Sequence, residues 1–221
     1  QARALRHIFF AERATLADQR AKQTPRPVSR VGVIGGGTMG AGISSACLMR
    51  GFHVTLIERA DSSLAAGANR VHETLDSSAK RGLLPDLDAV IARFETATDY
   101  AALADADLVI EAVFEDLEVK KQVFAQLDAV TRPDAILATN TSYLDVNAIA
   151  GVLSDPSRAI GLHFFSPAHI MKLLEIVLPD AVAEDVIAMA ARLSKSLGKI
   201  GVLSGVCDGF IGNRIMSAYR A

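Results

Sequence analysis

Hydrophobic residues along this chain fall into two alternating patterns. Short, nearly continuous apolar runs predict buried strands, and they alternate with stretches whose apolar residues recur every three or four positions, which predicts helices. Such alternation is typical of a mostly parallel sheet with helices on both faces, so we expect a doubly wound α/β fold. The predicted strands are Arg30–Ile34, Val54–Ile57, Arg93–Thr96, Leu108–Ala112, Ile136–Thr139, Ala159–Phe164, Leu173–Leu178 and Lys199–Leu203.

Two segments depart from the simple alternation. Segment 62–92, between the second and third strands, is long enough for a helical hairpin in place of a single crossover helix. Before the sheet, residues 3–20 follow helical spacing, and the prolines of segment 23–27 mark a linker. Because helical patterns run through both ends, we interpret the sequence as a piece of a longer protein. The expected parts are a linker helix (1–28), a regular domain (29–207) and the start of a second, helical domain (208–221).

Composition narrows the possible classes of function. Half of the 221 residues are hydrophobic, which is enough to bury a substantial core. The formal net charge of −2 and the absence of a dense Lys/Arg cluster argue against a nucleic-acid partner. No apolar run approaches the roughly 20 residues that span a bilayer, so no membrane partner is expected. Cys47 and Cys207 belong to no metal or redox pattern, which predicts no metal and a reducing, cytoplasmic compartment.

A glycine-rich segment follows the first predicted strand and opens a helix. Within it, Gly35 permits a tight turn, Gly37 allows the backbone to approach a pyrophosphate, and Gly40 allows the helix to pack closely on the strand. Thr38 and Met39 begin the helix, whose N-terminus presents free N–H groups and a partial positive charge to an anion.

The second strand strengthens this interpretation. Glu58 ends it about 20 residues after the glycines, which is the distance at which a carboxylate reaches the ribose hydroxyls of a dinucleotide. A glycine-rich turn alone is a weak signal, but the order strand, turn, helix, strand and acid is specific. The sequence therefore predicts a Rossmann-type site for NAD.

Polar side chains end five of the predicted strands. Ligands of such sheets bind beyond the carboxyl ends of the strands, and a purely structural sheet needs no polar groups there. Besides the glycines and Glu58, the residues at these ends are Glu111, Glu115, Lys120, Asn140, Ser142 and His163.

His163 is the strongest candidate for acid–base chemistry, because an imidazole at a strand end can exchange a proton near neutral pH. The alternative is a core histidine bonded to a backbone carbonyl. Glu175 favours the first interpretation, because it interrupts an apolar run and a buried carboxylate requires a cationic or hydrogen-bonding partner. Glu175 would then orient the imidazole, as in catalytic dyads. His169, in the loop after Pro167, is a weaker candidate for contact with substrate.

Other residues allow structural interpretations. Ser142 lacks the surroundings of a nucleophile elbow, so we expect its hydroxyl to donate to a substrate oxygen. Asn140 could instead cap the following helix, and Asp208 most simply caps a helix whose first turns contain Asn213 and Arg214. Four basic residues could form a solvated surface or meet a phosphorylated substrate: Lys80, Arg81, Lys120 and Lys121.

Five motifs together resemble the NAD-binding part of the L-3-hydroxyacyl-CoA dehydrogenase family over about residues 29–221. They are VGVIGGGTMGAGI, IEAVFEDLEVKK, ATNTSYL, GLHFFSPAHIMKLLEIV and DGFIGNRI. The resemblance implies NAD-dependent hydride transfer at C3 of an L-3-hydroxyacyl-CoA in fatty acid β-oxidation. It makes His163 the catalytic base and Glu175 its electrostatic partner, with Ser142 and Asn213 completing the active site. The residues that match family contacts to NAD are Glu58, Glu115, Lys120 and Asn140.

The resemblance extends to the flanking segments. Segment 62–92 is similar to the helical tail over which the family binds CoA. Residues 1–28 resemble the connector of multifunctional β-oxidation enzymes, which implies a parent chain with an enoyl-CoA hydratase domain and a C-terminal dehydrogenase domain. Two alternatives stay open: a dehydrogenase of small β-hydroxyacids, which would usually rely on a catalytic lysine, and a non-catalytic dinucleotide-binding module.

Overall fold

The computed structural model describes residues 2–221, and these contain one eight-stranded sheet in the order β3-β2-β1-β4-β5-β6-β7-β8. The strands are β1 (Arg30–Ile34), β2 (His53–Ile57), β3 (Phe94–Ala97), β4 (Leu108–Glu111), β5 (Ile136–Thr139), β6 (Ala159–Phe164), β7 (Leu173–Leu178) and β8 (Ile200–Gly205). The helices are α1 (Ala2–Ala14), α2 (Thr38–Leu48), α3 (Asp61–Lys80), α4 (Leu87–Ile91), α5 (Leu117–Val130), α6 (Val146–Ala150), α7 (Glu184–Ser196) and α8 (Gly212–Arg220). Short 3₁₀ turns span Arg20–Lys22, Tyr100–Leu103 and Pro156–Arg158.

Helices cover both faces of the sheet, as the nearly continuous apolar runs predict. On one face, α2, α3 and α7 bury residues such as Ile43, Val71 and Met189 against the strands. On the other face, α5 and α6 bury residues such as Phe124 and Ile149. The predicted doubly wound α/β fold is confirmed.

Every strand pair is parallel except β6 with β7, which run antiparallel. A parallel crossover needs a dozen or more residues, and segment 165–172 between these two strands is too short for one. The predicted hairpin between the second and third strands is also present, as α3 followed by α4.

The N-terminal helix is shorter than predicted. Helical spacing predicts a helix over 3–20, whereas α1 ends at Ala14. The prediction was wrong beyond that point because the carboxylate of Asp18 accepts hydrogen bonds from the backbone and side chain of Arg20, which stabilises the separate 3₁₀ turn. The described residues of α1 are all exposed, including Phe9 and Phe10.

The limits of four strands differ from the prediction by one or two residues: β2, β3, β4 and β8. The start of β8 has a clear physical reason. Lys199 was predicted to begin this strand, but its backbone N–H donates to the carbonyl oxygen of Ser194 in α7 at 2.8 Å, so pairing with β7 starts at Ile200. Its Nζ donates to the carbonyl oxygens of Ala168 (2.6 Å) and Met171 (2.7 Å) in the loop before β7. Among residues 2–221, no helix is long and apolar enough to cross a membrane.

Candidate active site

The glycine turn lies at the carboxyl end of β1. Gly35 has a φ of 97°, in the left-handed region that favours glycine. A Cβ at Gly40 would collide with the carbonyl oxygen of Gly35, so the approach of α2 to the turn requires a glycine there. Among the described residues, nothing lies within 4 Å of a Cβ built at Gly37. Thr38 and Met39 begin α2 at this open space, so the helix N-terminus faces room for an anion.

The turn is held from the side of β2 and α3. Oε1 of Glu58 accepts a hydrogen bond from the backbone N–H of Gly36 at 2.6 Å, and Nη1 of Arg70 donates to the Gly36 carbonyl at 3.0 Å. Gly67 allows α3 to approach the glycine turn, because a Cβ at this position would lie only 2.9 Å from the Cα of Gly36. Sequence reasoning missed Gly67 and Arg70. An isolated glycine inside a helical pattern was the available signal.

A groove of about 480 Å³ runs between the glycine turn and the carboxyl ends of β2 and β4. Gly35, Gly37 and Glu58 line it, together with Arg59. Its chemistry suits a dinucleotide, because free backbone N–H groups of a helix N-terminus lie at one side and the carboxylate of Glu58, an acceptor of the kind that ribose hydroxyls require, lies at the other. The residues present therefore fit NAD.

His163 and Glu175 face each other across the antiparallel pair of strands, in direct register. Nδ1 of His163 lies 2.6 Å from Oε2 of Glu175, and both side chains are buried. On the other side of the ring, Nε2 of His163 lies 3.3 Å from Oγ of Ser142. The ring centroids of Phe165 and Phe210 lie 4.5 Å and 5.6 Å from that of the imidazole. Packing against these two apolar rings restricts the orientation of the imidazole. The predicted pair is thus an oriented imidazole with one nitrogen directed at Ser142.

The second oxygen of Glu175 holds the start of α8. Oε1 accepts hydrogen bonds from the backbone N–H groups of Ile211 (3.2 Å) and Gly212 (2.6 Å). The prediction that Asp208 caps this helix was wrong, because α8 begins at Gly212 and the cap comes from a distant strand. Asn213 does lie in the first turn, and its Nδ2 lies 3.5 Å from the carbonyl oxygen of Ser142.

Glu115 organises the turn after β5. It accepts hydrogen bonds from Oγ1 of Thr141 (2.6 Å) and from the backbone N–H groups of Ser142 (2.7 Å) and Tyr143 (3.2 Å). Burial alone would raise the pKa of Glu115, but these hydrogen bonds and the charge of Lys120 outweigh it and lower the pKa. Ser142 is therefore held toward His163 by its backbone, through a charged acceptor.

Asn140 joins two strands and does not cap a helix. Its Oδ1 accepts a hydrogen bond from the backbone N–H of Phe164 at 2.8 Å, while Asp145 caps α6 through the N–H of Asn147. The capping alternative for Asn140 was wrong, because its side chain points across the sheet edge and not along the chain.

Lys120 lies in a buried ionic network. Its side chain is 1% exposed, and Nζ lies 2.6 Å from Oε1 of Glu111 and 3.4 Å from Oε2 of Glu115. Glu111 also accepts hydrogen bonds from Oγ1 of Thr139 and the N–H of Val113, each at 2.7 Å. The solvated-surface alternative was wrong for Lys120. The sequence places Glu111 at a strand end but does not reveal its ion pair with Lys120. The available signal was the position of Glu111 in an otherwise apolar strand, where a carboxylate needs a cationic partner.

The loop after β6 contains His169, whose pKa is lowered by burial and by the charges of Arg81 and Lys199. The pKa of Lys199 is also lowered by burial. This loop approaches α2 so closely that a Cβ at Gly42 would lie 3.2 Å from the Cβ of Ala168. His169 therefore lies in a loop that packs on α2, and among residues 2–221 no hydrogen bond joins it to the network of His163.

A dinucleotide-type groove next to an oriented imidazole and carboxylate defines a nicotinamide-dependent dehydrogenase domain. The 3-hydroxyacyl-CoA dehydrogenase NAD binding domain family matches residues 30–207. The chain belongs to this family, which confirms the prediction of NAD as the cofactor.

Similar proteins agree with this assignment. A peroxisomal bifunctional enzyme of Danio rerio is 42% identical over 99% of this chain and 31% of its own length. A glyoxysomal fatty acid beta-oxidation multifunctional protein of Cucumis sativus is 39% identical over 98% of this chain and 31% of its own. The crystal structure of 3-hydroxybutyryl-CoA dehydrogenase from Escherichia coli matches with a TM-score of 0.83 and 42% identity, over 88% of this chain and 43% of that one. The chain thus spans about a third of the length of the curated relatives it matches.

Proposed function

We propose that this chain transfers hydride between NAD and C3 of an L-3-hydroxyacyl-CoA, as one step of fatty acid β-oxidation. The observation that carries the proposal is the chain of contacts from Ser142 to His163 to Glu175, with separations of 3.3 Å and 2.6 Å, at the same edge of the sheet as the glycine turn. This chain of contacts supplies a proton acceptor of fixed orientation next to the place where a nicotinamide cofactor binds.

The proposed cofactor contacts follow the edge of the sheet. The backbone of segment 35–40 holds the pyrophosphate at the N-terminus of α2, and Glu58 holds the adenosine ribose. Glu58 exchanges its hydrogen bond to Gly36 for this role. Asn140 and Glu115 border the nicotinamide end, and Lys120 acts there through the carboxylate of Glu115.

The proposed acid–base step uses Nε2 of His163, because Nδ1 is bound to Glu175. In the direction of oxidation, Nε2 takes the proton of the 3-hydroxyl, and the carboxylate of Glu175 stabilises the imidazolium. Ser142 donates to the substrate oxygen and holds it next to Nε2, and Asn213 completes the pocket from α8. Bound NAD supplies the acceptor for the hydride that leaves C3.

The hairpin of α3 and α4 is the proposed site for the CoA part of the substrate. Lys80 and Arg81 lie at the C-terminal end of α3 and carry positive charge that can pair with the phosphate groups of CoA. The runner-up, a dehydrogenase of small β-hydroxyacids, gives this hairpin no role.

We also propose the domain limits and partners. Residues 29–207 form the NAD-binding domain, 208–221 begin a helical dehydrogenase domain, and 1–28 connect to an enoyl-CoA hydratase domain. The support is that multifunctional relatives are about three times as long as this chain and that α1 and α8 expose apolar side chains such as Phe10 and Tyr219. The two free thiols support a reducing, cytoplasmic compartment, whereas the relatives are named peroxisomal or glyoxysomal. Cell fractionation against cytosolic and peroxisomal markers tests this point.

The function is tested by substrate discrimination in the longest natural chain that contains this sequence. Oxidation of NADH is followed by its near-ultraviolet absorbance, first with acetoacetyl-CoA and then with free acetoacetate at the same concentration. We expect turnover with the thioester and little with the acid. Equal turnover of acetoacetate would favour the small-acid dehydrogenase, and binding of NADH without turnover of either compound would favour a non-catalytic module.

A further inference from the structure

The opposite edge of the sheet contains a second groove, of about 310 Å³, over the amino ends of β1, β2 and β3. It lies at the far end of these strands from the glycine turn. The link between β3 and β4 contains only the 3₁₀ turn Tyr100–Leu103, and a turn of this length leaves the amino half of the strands uncovered. Gly32 and Thr55, which pair directly, form part of the floor. The groove therefore results from a short crossover above small side chains.

Three basic side chains form a row along this groove. Arg30 and His53 are direct partners in the register of β1 and β2. Arg93 continues the row, because it directly precedes Phe94, the partner of Val54. Side chains alternate between the faces of a strand, so the three residues share one face. Arg30 and Arg93 place two positive charges on one face, on either side of His53, and a counter-charge there would stabilise the row.

The described residues do not provide that counter-charge as an ion pair. Among residues 2–221, Arg30, His53 and Arg93 take part in no salt bridge. Nε of Arg93 is buried without a hydrogen-bond partner in this part of the chain. A buried guanidinium N–H that lacks an acceptor is costly, and such groups in native proteins usually have a ligand, a water molecule or a partner.

Two carboxylates also line the groove, which restricts the chemistry of the occupant. Glu95 on β3 and Asp105 beyond the 3₁₀ turn are exposed and form no ion pair with the row. A ligand with negative charge at both ends would meet repulsion from them. A ligand with one anionic group and several hydroxyl groups would satisfy the basic row and donate to the carboxylates.

We propose that this groove binds a small phosphate ester, at a site separate from the NAD groove. The phosphate lies on the row of Arg30, His53 and Arg93, and accepts from the guanidinium groups of the two arginines that line the groove. The hydroxyl groups of the ester donate to Glu95 and Asp105. Guanidinium groups suit this role because their planar donors match phosphate oxygens in pairs.

The test is a titration of the ¹⁵N-labelled protein at constant ionic strength, with NMR detection of the backbone amides. The probes are inorganic phosphate, glycerol 3-phosphate and uncharged glycerol. We expect saturable shifts at Gly32, Thr55 and Arg93 with both phosphates, tighter binding of glycerol 3-phosphate, and no saturable shift with glycerol.

Two variants and a control complete the test. Arg93→Gln should weaken binding of glycerol 3-phosphate roughly tenfold or more, the usual effect of losing a charged hydrogen bond. Arg30→Gln should also weaken binding of glycerol 3-phosphate. Because Arg30 is exposed at the start of β1, this variant does not disturb a buried side chain. Arg192→Gln, on the exposed side of α7, should change nothing. Shifts confined to 35–40, unchanged affinity in both groove variants, or no gain from the ester over inorganic phosphate would overturn the proposal.

Discussion

Replacement of Glu175 by Gln separates the two contacts that this side chain makes. The amide oxygen of Gln can still accept from Gly212 and hold α8. The amide N–H₂ then faces Nδ1 of His163, so Nδ1 must become the acceptor and the ring proton must move to Nε2. That tautomer cannot take a proton from a substrate hydroxyl. We expect kcat to fall by roughly 10²–10⁴, the range reported for loss of a positioned proton acceptor.

Glu175→Ala tests the second contact. It removes the acceptor of the His163 ring and of the N–H groups of Ile211 and Gly212, so all three donors lose their partner in this variant. A buried donor without a partner costs about 1–3 kcal/mol. The N–H groups of Ile211 and Gly212 are half-buried, so water replaces part of the lost bonding, and we expect the alanine variant to be less stable than the glutamine variant by about 1–3 kcal/mol.

The assay combines kcat with acetoacetyl-CoA, the dissociation constant for NADH and urea unfolding, in the longest natural chain that contains this sequence. Glu184→Gln is the matched control, because this carboxylate is exposed on α7. The reasoning is refuted if Glu175→Gln retains turnover within a few-fold of wild type, or if the glutamine and alanine variants have equal stability.

Three further predictions concern the cofactor, the Ser142 turn and α8. NADPH should bind roughly tenfold more weakly than NADH, because its 2′-phosphate would meet the carboxylate of Glu58. The Glu58→Gln variant should bring the two dissociation constants closer together. Equal dissociation constants in the wild type, measured by fluorescence titration, would show that Arg59 accommodates the phosphate instead. Because the pKa of Glu115 is lowered in the folded state, its contribution to stability is present above the unfolded pKa of about 4.3 and is lost as the pH falls through the folded pKa. Glu115→Gln should therefore be less stable than wild type at pH 7, and the difference in stability should shrink as the pH falls below about 4.3. A difference that does not vary with pH would contradict this sign. The present chain should bind NADH, but its specific activity should be lower than that of a chain that also includes the following domain of its multifunctional relatives. The reason is that α8 exposes Ile215 and Tyr219, which such a domain would cover. Equal specific activity of the two chains would mean that the substrate site is already complete.

Much of the fold was predictable because burial on both faces leaves a direct mark on the sequence. Apolar runs located all eight strands, and the glycines after β1 located the cofactor edge. The length of segment 62–92 indicated the hairpin. The pairing of His163 with Glu175 was also predictable, because an acid inside an apolar strand needs a partner and His163 ends the preceding strand.

The missed features depend on contacts between distant segments. The cap of α8 comes from Glu175 on β7, so the nearby Asp208 misled a prediction based on local order. The acceptor for Ser142 is Glu115, which lies after another strand. No local pattern encodes such contacts, because they depend on which strand ends become neighbours in the sheet.

The most direct test of the account is a single-turnover measurement on His163→Gln. Acetoacetyl-CoA is mixed with the NADH complex of the longest natural chain that contains this sequence, and loss of NADH fluorescence is followed in a stopped-flow instrument. His7→Gln serves as the control, since His7 is exposed on α1 and has no part in the proton path. The account predicts a rate lower by about 10²–10⁴ for His163→Gln, with unchanged affinity for NADH and a near-normal rate for the control. A His163→Gln rate within a few-fold of wild type would contradict the claim that this imidazole is the acid–base group.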